Sequence, residues 1–169
     1  MSNKEHILQT VRRLAIETGS VPSLGVIARE AGVSKGGLMH HFTSRTALVE
    51  GIAVQVMQDL DQALSAAAER GTVVETWLRL SSSPEEAALY RAMSILLTDR
   101  TSSTDTLLQL AAEAARRWEH LFAVEAGDPV AASIIRLLGD GMLLNSLTDN
   151  DAVPSVDSIL QWLDRRSTK

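Results

Sequence analysis

Apolar residues along this chain recur almost throughout at spacings of three and four, the pattern of helices that bury one face. Ile7, Leu8, Val11, Leu14 and Ala15 mark a first amphipathic helix. Ile27, Ala28 and Ala31 mark a short second one, with alanine where another helix must cross closely. Gly32 supplies the left-handed backbone that ends it, and Val33 follows as an apolar plug under the turn. Ser34 then caps a third helix, Lys35 to His41, whose inward side is Leu38, with Phe42 just past its end. Two short helices joined by a tight glycine turn bury their apolar faces only under a third. The spacing therefore predicts a three-helix unit containing a helix-turn-helix, the motif that lays its second helix in a DNA groove.

Beyond this head the periodicity lengthens. Ser44 reads as an N-cap, and Leu48, Ile52, Val56, Leu60 and Leu64 repeat every four residues, broadened by Val49, Ala53 and Met57, without a breaker until Arg70 and Gly71. That predicts a helix close to 40 Å long at ~1.5 Å per residue, joining the head to the rest of the chain. Shorter helices are expected over Thr72–Leu80, Glu85–Thr98 and Thr106 to about Glu125, separated by the Ser81–Pro84 loop and a break at Thr101–Ser103. Gly127-Asp128-Pro129 is a stop and restart, and the last two helices run from Pro129 to Thr148 and from Pro154 to Arg166. The first of these is apolar on more than one face and carries Gly139 and Gly141 within one turn. Each glycine costs about 1 kcal/mol against alanine in a helix interior, so close approach of another helix is the expected compensation. Excess apolar surface on the last two helices predicts a two-fold dimer interface built as a four-helix bundle, the alternative being burial of all of it within one subunit.

Composition adds constraints. The 169 residues are 45% apolar with 4% aromatic, which suits aliphatic helix packing, and no alternating β-type segment occurs. Without cysteine there is no disulfide framework and no thiol ligand or nucleophile. The start MSNKEHILQT lacks a secretory core and no run reaches the roughly 18 apolar residues of a membrane span, so a cytoplasmic, membrane-free protein is expected. The net charge of −5 is uneven: residues 1–50 carry six Lys and Arg against four Glu, the remainder ten against seventeen acids. A basic head on an acidic body orients an encounter with phosphate backbone. No Gly-x-Ser-x-Gly elbow, phosphate-cradling glycine loop or paired acid–histidine arrangement is present, so an enzyme is not expected. Nor is a metal: His40 and His41 point about 100° apart on a helix, with no further ligand at i+4.

The segment SLGVIAREAGVSKGGLMHHFTSRTALVEGI resembles the N-terminal signature of the TetR family of bacterial transcriptional repressors. Ala28, Gly32, Ser34, Lys35, Leu38, His41 and Phe42 fall in register, Arg45 and Leu48 continue the string, and Met39 stands where the family usually has tyrosine. The resemblance implies an all-α protein of about nine helices: a homeodomain-like helix-turn-helix head at 1–46 and a helical ligand-binding and dimerisation domain at 47–169. It implies a DNA-facing set of Ser34, Lys35, Gly36, Gly37, His40, His41 and Arg45, on a palindromic operator read by a homodimer. It also implies a cavity lined by Met57, Trp77, Met93, Leu97, Trp118, Phe122 and Leu144 for a small hydrophobic or aromatic effector, with no cofactor. Short relatives with a Ser-Lys-Gly-Gly-Leu recognition helix include regulators of drug export, which points to a drug-like ligand. The expected mechanism is a repressor whose ligand changes the spacing of two recognition helices that must match grooves ~34–36 Å apart. An activator, or a helical dimeric interaction module with a weakened head, are the alternatives.

Overall fold

The computed structural model describes residues 2–97, 102–146 and 153–167, with side chains described for all of these except 94–97, 102–104 and 166–167. Among them the chain forms nine helices and no strand: α1 (Asn3–Thr18), α2 (Leu24–Glu30), α3 (Lys35–His41), α4 (Arg45–Ala68), α5 (Val73–Ser81), α6 (Pro84–Leu97), α7 (Ser102–Ala126), α8 (Pro129–Asn145) and α9 (Val156–Ser167). No described helix is long and apolar enough to cross a membrane.

The expected elements are present with most ends within two residues, and two ends differ by more. Helix α7 starts at Ser102, so Ser103, expected in a break, lies inside a helix that starts four residues before Thr106. A polar Ser-Ser-Thr-Asp run resembles a linker by composition, yet these residue types are at home in a first helical turn, where free backbone N–H groups donate to short polar side chains. Helix α8 ends at Asn145, short of Thr148, and residues 147–150 lie outside the described set.

Local chemistry fixes most starts and stops. Ser2 and Glu5 form a reciprocal capping box on α1, with Ser2 N donating to Glu5 Oε2 at 2.7 Å and Glu5 N to Ser2 Oγ at 3.3 Å. Ser23, Ser34 and Ser44 cap α2, α3 and α4 by accepting from Val26 N, Gly37 N and Ala47 N. At the turn between α2 and α3, Gly32 has φ +64°, and the Val33 amide returns to the Ala28 carbonyl at 3.0 Å.

The chain divides into two compact units, 1–57 with 88–110, and 58–87 with 111–169. In the first, Ile7, Val11, Ile27, Leu38, Leu48, Val49 and Ile52 are fully buried and share one core with Phe42, Leu89 and Met93. This core holds α1, α2, α3 and the first half of α4 together, with α6 laid against them. It also takes α3 to one side by a single inward residue, Leu38, which leaves the rest of that helix outside.

The second unit is organised by α5 crossing α8. Trp77 of α5 is 2% exposed and donates its indole N–H to the Ile135 carbonyl at 3.1 Å. Gly139 makes this crossing possible: a Cβ there would stand 2.2 Å from Trp77 Nε1 and 2.6 Å from Ser81 Oγ. The close approach expected for a mid-helix glycine is thus met inside the chain at Gly139. Gly141 differs, since a Cβ there meets nothing within 4 Å. The start of α5 has no local side-chain cap from Thr72; instead Glu125 of α7 accepts from Val73 N at 2.5 Å and Val74 N at 3.2 Å.

Candidate nucleic-acid interface

Helix α3 has only seven residues and two adjacent glycines, poor material for a helix by propensity. It is held by its ends and by Leu38. Ser34 Oγ accepts from Gly37 N at 3.0 Å, and the Phe42 amide closes the helix onto the Leu38 carbonyl at 2.9 Å. At 100° per residue, Gly36 and His40, two residues either side of Leu38, lie on the opposite face, flanked by Lys35, Gly37, Met39 and His41. All six are exposed, as are Ser34 and Arg45.

The two glycines are not equivalent. A Cβ on Gly37 would sit 3.2 Å from the capping Ser34 Oγ, whereas one on Gly36 would meet nothing. Gly37 leaves room for the cap; Gly36 leaves bare backbone at the centre of the outward face. His40 and His41 stand edge to face with ring centroids 5.4 Å apart. Arg45, expected at phosphate, donates its guanidinium to the Val21 carbonyl and so braces the loop before α2. The expected DNA-facing residues therefore come together on one surface of the first unit. A basic residue outside that set, Lys4 of α1, also reaches the end of α3, its Nζ 5.9 Å from the Phe42 ring centroid. Its signal in the sequence was its position one turn before the inward Leu8.

The expected cavity residues are distributed differently. Trp77, Trp118 and Phe122 do meet: Trp77 lies 5.6 Å from Trp118 and 5.7 Å from Phe122 by ring centroids, all three buried. They form a closed aromatic cluster in the second unit. Met93 belongs to the core of the first unit, and Met57 falls in that unit too. Leu144 is 58% exposed, and the Leu97 side chain lies outside the described residues.

Beside Trp118, an open groove of about 820 Å³ runs between α4 and α7. Its wall is set by Asp61, which accepts from Trp118 Nε1 and from Arg117, both at 2.6 Å. On α7 and α8, Arg136 donates to Glu119 and Asp140, and these bonds raise its pKa further. Burial pushes the Asp140 carboxyl above its ordinary value despite the Arg136 charge beside it. No group of three or more His, Cys, Asp or Glu among the described residues is placed to hold a metal ion.

A three-helix head presenting α3, joined by α4 to a further helical domain, defines a helix-turn-helix DNA-binding protein. The sequence matches "Bacterial regulatory proteins, tetR family" over residues 7–52 and "Tetracyclin repressor-like, C-terminal domain" over residues 71–163. The chain belongs to the TetR family and is a TetR-type DNA-binding regulator. Several solved structures share its fold. A transcriptional regulator from Rhodococcus sp. Rha1 superposes with a TM-score of 0.70 at 19% identity, covering 99% of this chain and 95% of that one. NalD, the secondary repressor of the MexAB-OprM multidrug efflux pump in Pseudomonas aeruginosa, superposes at 0.59 with 19% identity, covering 96% and 94%. No curated protein sequence matches the chain significantly.

Proposed function

We propose that the protein is a repressor that binds a palindromic operator as a homodimer and leaves it when a small hydrophobic or aromatic effector binds. The observation that carries the DNA half is the outward face of α3, where Lys35, Gly36, Met39 and His40 are exposed together. Gly36 brings bare backbone to the groove floor, Lys35 and His40 supply donors to base edges, and Ser34, His41 and Arg45 attend to phosphates. The working division is a DNA-reading head at 1–46 and an effector and dimer domain at 47–169, acting in the cytoplasm where the operator lies.

Support for the dimer comes from α8. Val130, Ile134, Leu137 and Leu144 are all exposed, and with Gly141 they repeat at spacings of four and three, a knobs-into-holes seam with a gap at the glycine. Trp162 of α9 adds exposed aromatic surface. A single subunit leaves this stripe in water, and a second copy buries it. For the effector, the recognition helix Ser-Lys-Gly-Gly-Leu and the likeness to NalD, a repressor of a multidrug efflux pump, both favour a drug-like compound. Such a compound binds by parting the closed aromatic cluster of Trp77, Trp118 and Phe122, beside which the groove between α4 and α7 opens.

The test is fluorescence anisotropy on the DNA upstream of the protein's own gene, competed with unrelated duplex at fixed salt. Competitor-resistant binding that a hydrophobic effector reverses is the expected result. Binding no tighter than to unrelated DNA would favour an interaction module with a weakened head.

A further inference from the structure

We propose that Lys4, at the start of α1, is a phosphate anchor of the DNA interface, supplying from another helix a charged contact that the exposed Met39 of α3 does not offer. This deepens the DNA-binding reading and rests on it. Three observations fix the start of α1 beside the helix-turn-helix. The first turn of α1 is closed by the Ser2–Glu5 capping box, in which the neighbouring carboxylate is occupied by the Ser2 amide. His6, in the same turn, lies within hydrogen-bond distance of the Ala31 carbonyl through Nε2 at 3.2 Å, tying α1 to the helix-turn-helix turn. Leu8, one turn on, converges with Phe42 on Gly51 of α4, where a Cβ would stand 3.0 Å from each side chain.

Lys4 shares a face with Leu8 and so is delivered to the end of the recognition helix, where its ammonium stands 5.9 Å from the Phe42 ring centroid. It is exposed, and the contact with the ring is weak enough for a phosphate to draw the charge away. His41 precedes Phe42 and Arg45 follows three residues later, so Lys4 extends the basic edge of the DNA face beyond α3. Arg45 is engaged with the Val21 carbonyl. Met39 has no group to offer a phosphate oxygen. An exposed lysine at this edge, held only by a weak ring contact, supplies a charged contact.

The experiment measures affinity for the upstream duplex and for an unrelated duplex across a salt series, with Lys4→Met, Lys4→Gln, Lys4→Arg and, for comparison, Lys35→Met. Lys4→Met keeps the stem over Phe42 and removes the charge. The slope of log affinity against log salt is expected to shrink by about 0.9 for each copy bound, because one fewer counterion is released. Lys4→Gln gives the same loss, Lys4→Arg keeps the wild-type slope, and melting temperatures stay together. A wild-type slope in Lys4→Met and Lys4→Gln, with a reduced slope in Lys35→Met, overturns the anchor and leaves the DNA interface standing. Absence of salt-dependent binding by the wild-type protein to either duplex overturns both.

Discussion

Replacing Gly139 by alanine tests the account of the second unit most directly. The added methyl would lie 2.2 Å from Trp77 Nε1 and 2.4 Å from Cε2, so α5 and α8 must separate by roughly 1 Å to restore ordinary contact. Trp77 has little freedom to yield, since it is wedged against Trp118 and Phe122 and bonded to the Ile135 carbonyl. Overpacking of this kind costs about 1–3 kcal/mol, and breaking a buried hydrogen bond adds about 1–3 kcal/mol. Against this stands a gain of about 1 kcal/mol from alanine's better helix propensity. The net expectation is a loss of about 3 kcal/mol, or roughly 6–12 °C in melting temperature for a chain of this size. Thermal unfolding followed by tryptophan fluorescence across a concentration series reads it, the series separating folding from association. Gly141→Ala is the control: with nothing within 4 Å inside the subunit, it gains about 1 kcal/mol in dilute, monomeric protein. An unchanged or raised melting temperature for Gly139→Ala would refute the close crossing.

Glu125→Ala removes the carboxylate that accepts from Val73 N and Val74 N, and is expected to cost about 1–2 kcal/mol, lowering the melting temperature by about 2–8 °C while Glu125→Gln loses less. Leu137→Glu puts a charge in the exposed α8 seam, and sedimentation equilibrium is expected to show a monomer with an unchanged helical circular dichroism spectrum; a dimer of wild-type affinity would place the interface elsewhere. Asp140 carries a carboxyl whose folded pKa lies above its ordinary value, so its contribution to stability is fully present below that ordinary value and declines as pH rises through the folded pKa. Denaturant titrations of Asp140→Asn and wild type should therefore diverge in the variant's favour on going from about pH 3.5 to pH 7, and divergence in the opposite sense would contradict the account of a partly desolvated carboxyl.

The head was legible because its determinants are local. Gly32 and Ser34 precede α3 within three positions, Phe42 ends it, and Leu38 alone marks its inward side, so spacing suffices to set Lys35–His41. The second unit was less so, for a physical reason: its decisive contacts join residues far apart in sequence. Periodicity puts Trp77, Trp118 and Phe122 inward, and they do meet, but it does not distinguish a residue facing a cavity from one facing a sealed core. Met93 has the same spacing as its neighbours and packs with Ile7 and Leu89 in the other unit. Gly139 and Gly141 look alike in the sequence, and only the position of Trp77 separates the one filled from inside from the one left open.

The cap on α5 bears on how the chain folds. A nine-residue helix is too short to persist alone in water, and the start of this one is closed by a carboxylate fifty-two positions downstream. During synthesis α5 therefore emerges as a segment with apolar Val73, Val74, Trp77 and Leu78 and nothing to complete it until α7 and α8 have been made. Its formation is expected to be a late event that depends on long loop closure, and in the native protein it is expected to be among the first segments to exchange its amide hydrogens when α7 loosens.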